Sequence, residues 1–188
     1  MKIYDDIKNY TPFNEQESRA RELILRFIEN NPDAFLRSNL TAHMTASAWT
    51  VNKNRDRLLM VYHKIYDSWA WTGGHADGEQ DLLKVAMKEL REETGAEHIR
   101  ALTEDIFSLE ILTVDGHEKR GHYVPGHLHM NVTYLLEADE KDSLKICEDE
   151  NSGVKWFSLD EALEASSEPW FVERIYKKLN EKLKNFKG

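Results

Sequence analysis

The sequence contains few cysteines and no long apolar run. Cys147 is the only cysteine among the 188 residues, which excludes an intramolecular disulfide framework. No apolar run approaches the roughly 20 residues of a membrane-spanning helix. Residues 1–6 lack the apolar region of a secretory signal peptide. We therefore expect a cytoplasmic protein that has no membrane partner.

Basic residues are also scarce. Lysine and arginine together number 25 against 34 aspartate and glutamate residues, so the formal net charge is −9. A polyanionic partner needs clustered basic side chains, and this balance excludes an extended nucleic-acid surface. Hydrophobic residues make up 40% of the chain and aromatic residues 10%, which is enough to build a packed core. The length fits one well-buried domain with a small appended element.

Three acidic residues crowd the end of one predicted helix. A glycine pair at 73–74 opens onto an amphipathic segment, which Gly95 ends as a left-handed stop. On a helix, Glu89, Glu92 and Glu93 fall within an arc of about 100°, beside the apolar stripe. Such close carboxylates repel one another, and a helix C-terminus also disfavours anions. The cation that best offsets this cost with oxygen ligands is a hard ion, Mg²⁺ or Mn²⁺.

The stretch from Gly73 to Ala96 resembles the Nudix box, Gly-x5-Glu-x7-Arg-Glu-aliphatic-x-Glu-Glu-x-Gly-aliphatic. Six positions match the box at its spacing: Gly74, Glu89, Leu90, Glu92, Glu93 and Gly95. Ala96 is a weak match to the last aliphatic position. Gln80 replaces the first glutamate of the box, and Lys88 replaces its arginine. The resemblance covers residues 42–163 and implies hydrolysis of a nucleoside diphosphate linked to another moiety.

Strand and helix signals follow one another along the chain. An N-terminal helix is predicted from the cap pair Asn14 and Glu17 to Asn30. Short helices are predicted at 160–165 and 169–185. Runs of β-branched, aromatic and aliphatic residues predict strands at 45–52, 57–63, 107–114, 129–137 and 153–157, and the segment 69–74 resembles the strand that precedes the family's glycine turn.

These elements predict an α/β fold. The resemblance implies a Nudix-like α/β/α sandwich with a mixed β-sheet, to which the N-terminal helix is added. We expect residues 1–40 to be an N-terminal helical extension packed on the core, and residues 41–188 to be the Nudix hydrolase domain. The order of the strands in the sheet is open at this point.

The resemblance implies the metal ligands and the catalytic groups. The implied ligands of Mg²⁺ or Mn²⁺ are Glu89, Glu92, Glu93 and the carbonyl oxygen of Gly74. In the family, the base that takes a proton from the attacking water is either a box glutamate or an acid on a loop before a later strand. Glu150 precedes the predicted strand at 153–157 in this way, and Glu148 and Asp149 compete with it. The candidate catalytic residues are therefore Glu89, Glu92, Glu93 and Glu150.

The two departures from the box concern charge. Lys88 keeps the positive charge of arginine but not its planar fork, and it lies one turn before Glu92. We assign Lys88 an orienting role on the metal-binding carboxylates. Gln80 keeps the shape of glutamate and loses its charge, for which Asp77 and Glu79 are the candidates to compensate.

Histidines and other polar residues around and after the motif are candidates for binding the substrate. They are His75, Lys119, Arg120, Tyr123, His127 and His129. The loop predicted at 115–126 is placed to contact phosphate or the distal group of the substrate. We expect His127 and His129 to project from opposite faces of a strand, an arrangement that would not form a zinc pair.

Three hypotheses for the function differ in class. The leading one is a Mg²⁺- or Mn²⁺-dependent pyrophosphohydrolase that acts on a small nucleotide-like diphosphate. The alternative, motivated by Gln80 and Lys88, is a catalytically weak Nudix-fold module that binds nucleotides or regulates. A weaker third hypothesis, isopentenyl-diphosphate isomerisation, requires a Cys–Glu arrangement that is not evident. Many members of the family are dimers, so a homodimer is also expected.

Overall fold

The structure is a computed structural model that describes residues 1–119 and 121–187. Its helices are α1 (Lys2–Asn9), α2 (Glu15–Asn30), α3 (Leu82–Thr94), α4 (Leu159–Ala165), α5 (Pro169–Phe171) and α6 (Lys177–Asn185), with a π-helical turn at Val172–Tyr176. The strands are β1 (Ala42–Val51), β2 (Arg57–His63), β3 (Ser68–Ala70), β4 (Thr72–His75), β5 (Ile99–Ala101), β6 (Ser108–Val114), β7 (His117–Lys119), β8 (His122–Val124), β9 (His127–Ala138) and β10 (Asn151–Ser158). None of these helices is long and apolar enough to cross a membrane.

One mixed sheet organises the chain. Its hydrogen-bonded order is β10-β2-β1-β9-β5, with β3 paired to β2, β4 to β1 and β6 to β9. β1 and β9 run parallel from the pair Ala42–Leu128 to the pair Val51–Glu137, whereas the other pairings in this sheet are antiparallel. β7 and β8 form a separate hairpin. The parallel register places the first residues of β1 and β9 side by side at one end of the sheet.

Helices cover both faces of this sheet. Residues of β1 alternate between the faces, so Ala46 packs on one side and Trp49 on the other. The first face is covered by α1, α2 and α3 through the buried residues Ile3, Ile7, Ile24, Leu82 and Leu90. The second face is covered by α4, the π-helical turn and α6 through Ala162, Ile175, Leu179 and Leu183. The predicted α/β/α sandwich with a mixed sheet is confirmed.

The N-terminal helix begins where its cap predicts. The side chain of Asn14 accepts a hydrogen bond from the Glu17 N–H at 3.0 Å, which satisfies one of the free donors of the first turn. A second helix, α1, precedes α2 and was not predicted, although Ile3 and Ile7 lie one turn apart and are both buried. These helices share a buried cluster with β1 and α3. The division at residue 40 stays a prediction.

The helix α3 has the two ends that its sequence indicates. At the N-terminus, the Asp81 side chain accepts a hydrogen bond from the Lys84 N–H at 3.1 Å. At the C-terminus, Gly95 adopts φ 71°, and its N–H donates to the Arg91 carbonyl at 2.9 Å. Glycine adopts this left-handed conformation without the steric cost of a side chain. Both caps are local, and they fix where the glutamates of α3 stand relative to the sheet.

The structure also differs from the predicted elements. The hairpin of β7 and β8 lies within the predicted loop 115–126, and the short edge strand β5 was not predicted. The predicted helix at 169–185 is interrupted by the π-helical turn. These elements are short, and their sequences show too few periodic residues to separate them from loops.

Candidate active site

Three glutamate side chains converge beside the C-terminal half of α3. Glu89 and Glu93 are one turn apart on α3, and Glu150 lies in the turn that precedes β10. Each offers one carboxylate oxygen, and these atoms all lie within 4.8 Å of one another. Glu93 is buried, Glu89 is partly buried and Glu150 is exposed. The structure therefore brings together two acids of the motif and the acid predicted from the later loop.

Asn151 anchors the turn that contains Glu150 to α3. Its fully buried side-chain amide donates a hydrogen bond to the main-chain carbonyl of Glu93 at 2.9 Å. Its side-chain oxygen accepts a hydrogen bond from the Cys147 N–H at 3.2 Å. Sequence reasoning missed Asn151, because one asparagine at the start of a strand forms no pattern. Its position next to Glu150 was the only available signal.

The glutamate cluster is electrostatically costly without a cation. Burial raises the pKa of Glu93 well above its usual range; a hydrogen bond from Gly73 opposes this, and the charges of Glu150 and Glu89 add to it. Burial also raises the pKa of Glu89, against the opposing effect of Lys88. A bound cation would favour the ionised carboxylates and so reverse both shifts.

The glycine pair before α3 packs directly on the two glutamates of the cluster. The N–H of Gly73 donates a hydrogen bond to Glu93 Oε1 at 2.9 Å. A Cβ atom on Gly74 would lie 2.6 Å from Glu89 Oε2, so a side chain there would displace the Glu89 carboxylate. Both glycines belong to β4, where they pair with Ala46 and Ser47 of β1. The sheet thus holds the main chain of the turn against the carboxylates.

Lys88 contacts two carboxylates of α3. Its Nζ lies 2.9 Å from Glu92 Oε2 and 3.2 Å from Glu89 Oε1. The hydrogen bond to Glu92 is the main cause that raises the pKa of Lys88. Glu92 is more than half exposed and stands outside the close cluster of Glu89, Glu93 and Glu150. The pairing of Lys88 with Glu92 that the helical spacing predicts is present, while the role of Glu92 as a metal ligand stays a prediction.

The acids near Gln80 have cationic partners of their own. Asp77 accepts a hydrogen bond from Arg37 Nε at 2.6 Å. Glu79 accepts one from Lys84 Nζ at 2.6 Å, and it also accepts the N–H of Gln80 at 3.0 Å. Arg37 and Lys84 thus pair with these two acids, and the compensation of Gln80 by Asp77 or Glu79 stays a prediction.

Four histidines form a second cluster near the glycine turn. His75, His127 and His129 join His43, and one ring nitrogen of each lies within 4.8 Å of the others. The Nε2 atoms of His127 and His129 are 3.2 Å apart. Our expectation of opposite faces was wrong, because residues two apart on a strand share one face. Sequence reasoning also missed His43, whose neighbour His129 is set by the parallel register of β1 and β9.

A cavity of about 230 Å³ opens beside the histidine cluster. Its wall includes Arg37 and Tyr66 together with the four histidines. Val124 of the hairpin also lines it, whereas the neighbouring Tyr123 is 71% exposed. Of the two basic residues predicted to bind the substrate, Lys119 is described only as the end of β7, and Arg120 lies outside the described residues.

Comparisons with known proteins agree with this architecture. The family model described as the NUDIX domain matches residues 41–179. The crystal structure of a C. elegans Ap4A hydrolase binary complex superposes with a TM-score of 0.54 at 18% identity, covering 76% of this chain and 96% of that one. A NUDIX-family hydrolase from Clostridium perfringens superposes with a TM-score of 0.51 at 19% identity, covering 77% and 98%. The sequence matches none of the curated proteins with which it was compared.

The fold is an α/β/α sandwich in which a glycine turn meets a glutamate-rich helix, and it agrees with the family match. The family match spans most of the chain, and the chain belongs to the Nudix family. It is accordingly a pyrophosphohydrolase. The family generally uses divalent metal ions, and the oxygen donors around Glu93 fit such an ion.

Proposed function

We propose that this enzyme uses Mg²⁺ or Mn²⁺ to hydrolyse the diphosphate linkage of a nucleoside diphosphate that is joined to another moiety. The observation that carries the proposal is the convergence of Glu89, Glu93 and Glu150, whose carboxylate oxygens lie within 4.8 Å of one another. The carbonyl of Gly74, a residue that packs against Glu89, supplies a further oxygen donor. Donors that are all oxygen suit a hard divalent ion.

Glu92 takes an outer position in this proposal. Its carboxylate is more than half exposed and pairs with Lys88 at 2.9 Å, so it approaches the site from the solvent side. Glu93 takes the inner position, because it is buried and the Gly73 N–H fixes one of its oxygens. Glu92 and Glu93, which are neighbours in the motif, therefore have different proposed roles.

Side chains of the site position the metal ion and accept the proton of the attacking water. A divalent ion, when bound, neutralises charge on the phosphate oxygens and lowers the pKa of a water molecule. Glu89 and Glu93 hold the ion, and Lys88 orients the carboxylates that it contacts. Glu150 is the proposed base, because it is the most exposed member of the cluster and can accept the proton of the attacking water. Attack of this water at phosphorus releases two phosphorylated products.

The group beyond the diphosphate is proposed to occupy the cavity beside the glycine turn. His75, His127 and His129 form part of its wall, as expected for substrate-binding residues. Tyr66, which stacks on His63 at a centroid distance of 4.3 Å, offers an aromatic surface at the same cavity. A planar base or a sugar would fit such a wall. The hairpin that carries Tyr123 borders the opening through Val124.

A substrate panel with product identification tests the proposal. The panel contains nucleoside triphosphates, nucleotide sugars and dinucleoside polyphosphates, the last because one structural neighbour is an Ap4A hydrolase. Each substrate is incubated with Mg²⁺, with Mn²⁺ or with a chelator, and products are identified by ³¹P NMR. We expect metal-dependent cleavage of one substrate group into two phosphorylated products. Binding without cleavage under these conditions supports the alternative of a catalytically weak module.

Two matched variants link that activity to the cluster. Glu93→Gln removes a buried carboxylate of the cluster, whereas Glu97→Gln removes an exposed one just beyond α3. The first is expected to lower the rate by at least about tenfold, equivalent to about 1.4 kcal/mol of barrier, and the second to leave it unchanged. Equal rates in the two variants would exclude Glu93 as a ligand.

We also infer a cytoplasmic enzyme that forms a homodimer. Leu23 of α2 is 50% exposed and offers an apolar contact outside the substrate cavity. Sedimentation velocity of the wild type and of Leu23→Glu tests the dimer. A monomer in the wild type would contradict it.

A further inference from the structure

We infer that His43, His75, His127 and His129 form a second metal site, which takes Zn²⁺ or a closely related transition-metal ion. This site is separate from the glutamate cluster in its residues and in the chemistry of its donors. Its histidines line the cavity proposed for the substrate, and the ion that it takes differs from the one that supports hydrolysis.

The sheet itself brings the four histidines together. His43 lies at the start of β1 and is the parallel partner of His129 in β9. His75 ends β4, where it pairs with Thr45 of β1. His127 is the first residue of β9 and shares a face with His129. Because three strands fix these positions through their backbone ladders, little ordering of the chain is needed to assemble the set.

The distances in the cluster fit a shared ion. The ring of His43 lies at centroid distances of 4.8 to 5.0 Å from the three other rings. The Nε2 atoms of His127 and His129 are 3.2 Å apart. A tetrahedral zinc site with Zn–N bonds of about 2.0–2.1 Å has nitrogen–nitrogen edges of about 3.3–3.4 Å. The remaining nitrogens lie within 4.8 Å of one another, so the rings would rotate to reach that spacing when an ion binds.

Hydrogen bonds orient two of the rings as metal ligands are oriented. His43 Nδ1 lies 3.1 Å from the Asn39 carbonyl, and His127 Nδ1 lies 2.9 Å from the Pro125 carbonyl. A carbonyl accepts only, so Nδ1 carries the proton and the lone pair of Nε2 is left for a ligand bond. His43 is 3% exposed, and its Nε2 has no hydrogen-bond partner in the described part of the chain. A bound ion would satisfy this buried atom.

The chemistry of the donors selects the ion. Burial lowers the pKa of His43, and burial together with the neighbouring histidines lowers the pKa of His129 strongly. Neutral imidazoles are the form that binds metal. Nitrogen donors favour zinc, copper or nickel, whereas Mg²⁺ takes oxygen ligands. The two clusters in this protein therefore differ in the ion that each prefers.

A metal ion held by the histidines would also brace the catalytic turn. His75 directly follows Gly74, whose main chain packs on Glu89, and Gly73 binds Glu93. Fixing His75 to His43 and His129 would hold the end of β4 in place. We therefore expect zinc to raise the melting temperature of the protein in addition to binding tightly.

Zinc titration in the presence of excess Mg²⁺ tests the inference. The purified full chain is stripped of metal with a chelator, and Zn²⁺ is then added in competition with a chromogenic chelator while Mg²⁺ occupies the glutamate cluster. One Zn²⁺ per chain is expected. His127→Ala and His129→Ala should each weaken binding by at least about tenfold, whereas His122→Ala, in the exposed hairpin, should not change it.

The glutamate variant and a spectroscopic probe separate this site from the other one. Glu93→Gln is expected to keep the zinc affinity of the wild type. Co²⁺ added to the wild type should give the intense visible absorption of tetrahedral coordination, a readout that needs no variant to fold. Failure of Zn²⁺ to bind in excess Mg²⁺ would overturn the inference. So would zinc binding that Glu93→Gln abolishes and both histidine variants leave intact.

Discussion

Glu93 is buried at a cost to folding, while the proposed function requires its ionised carboxylate. It is 3% exposed, and two other carboxylates offer oxygens within 4.8 Å of it. The Gly73 N–H offsets only part of the cost of burying this charge. Functional sites often retain groups that are unfavourable for folding until a ligand binds. Glu93 is such a group, and in the proposed function a divalent ion would be the ligand that offsets its buried charge.

Replacing Glu93 by glutamine should stabilise the metal-free protein. The amide oxygen keeps the hydrogen bond from Gly73, while the buried charge is removed, so we expect a gain of about 1 kcal/mol at neutral pH. Because the pKa of Glu93 is raised on folding, the wild type should lose stability as the pH rises above the ordinary glutamate value of 4.5. Glu93→Gln should lack this loss. Thermal unfolding with a chelator present measures both effects.

Mg²⁺ should reverse the order of stability of the wild type and Glu93→Gln. It is expected to raise the melting temperature of the wild type and of Glu97→Gln, and to leave that of Glu93→Gln almost unchanged, because the variant lacks the inner ligand. An equal rise in all three proteins would show that Mg²⁺ binds elsewhere.

Glu150 is expected to act on turnover rather than on substrate binding. As a base it matters only while the water attacks, so Glu150→Gln should lower kcat by about 10²- to 10⁴-fold with a small change in KM. Steady-state kinetics at saturating Mg²⁺ measure the two constants. Glu148→Gln and Asp149→Asn serve as controls from the same turn. If all three variants keep the wild-type kcat, the base is elsewhere, and Glu89 is the next candidate.

Within α3, Lys88 connects the carboxylates through one flexible side chain. It is 59% exposed and contacts Glu89 and Glu92, so its effect is expected to be modest. Lys88→Ala should raise the Mg²⁺ concentration for half-maximal rate by about threefold, whereas Lys88→Arg should keep or raise activity. The control is Lys84→Ala on the same helix, which breaks the pair of Lys84 with Glu79, a residue that precedes α3. If Lys88→Ala needs the same Mg²⁺ concentration for half-maximal rate as the wild type, Lys88 only forms surface ion pairs and does not orient the carboxylates.

A buried charge network joins the N-terminal and C-terminal helices. Lys178 of α6 lies 2.9 Å from Glu110 of β6 and 3.3 Å from Glu17 of α2. Lys182 lies 2.8 Å from Glu17. Burial opposes ionisation of Glu17, but the two lysines outweigh it and lower its pKa. The network therefore ties the segment outside the family match to the last helix of the fold.

Breaking this network should destabilise the whole chain. Lys178→Met keeps most of the side-chain volume but leaves Glu110 without its ion-pair partner and Glu17 with Lys182 alone, so we expect a loss of about 3 kcal/mol. Lys177→Met, its exposed neighbour, should change stability by less than about 1 kcal/mol. Urea unfolding at neutral pH measures both variants. Equal midpoints would show that the network contributes nothing.

Because of this charge network, the stability of the protein should also depend on pH in the acid range. Since the pKa of Glu17 is lowered on folding, its contribution is fully present above the ordinary glutamate pKa and is lost as the pH falls through the lowered value. The wild type should therefore lose more stability on acidification than Lys178→Met does.

Local patterns predicted much of this fold, and long-range pairing decided the rest. The N-cap of α2 and the C-terminal stop of α3 depend on residues a few positions apart, so Asn14 and Gly95 could be recognised in the sequence. The histidine cluster depends on which strands are neighbours. His43 and His129 are far apart in the chain, and only the parallel pairing of β1 with β9 joins them. The role of Asn151 as an anchor likewise depends on a contact with α3.

Taken as a whole, the molecule combines a surplus of negative charge with an anionic substrate class. A net charge of −9 repels a diphosphate, and the glutamate cluster adds to this repulsion. A divalent ion bound at Glu89 and Glu93 would offset the charges of these two carboxylates, and phosphate oxygens could then bind at the ion. We therefore propose that this cluster, once it holds a metal ion, directs water to phosphorus.

Hydrolysis in ¹⁸O-labelled water tests whether water attacks phosphorus. The substrate identified by the panel is cleaved by the wild type with Mg²⁺, and the products are analysed by mass spectrometry. We predict a single ¹⁸O on the phosphate of one product, a rate at least about tenfold lower in Glu93→Gln, and no reaction with a chelator present. Undiminished cleavage in the chelator, or products without ¹⁸O on phosphate, would contradict the account.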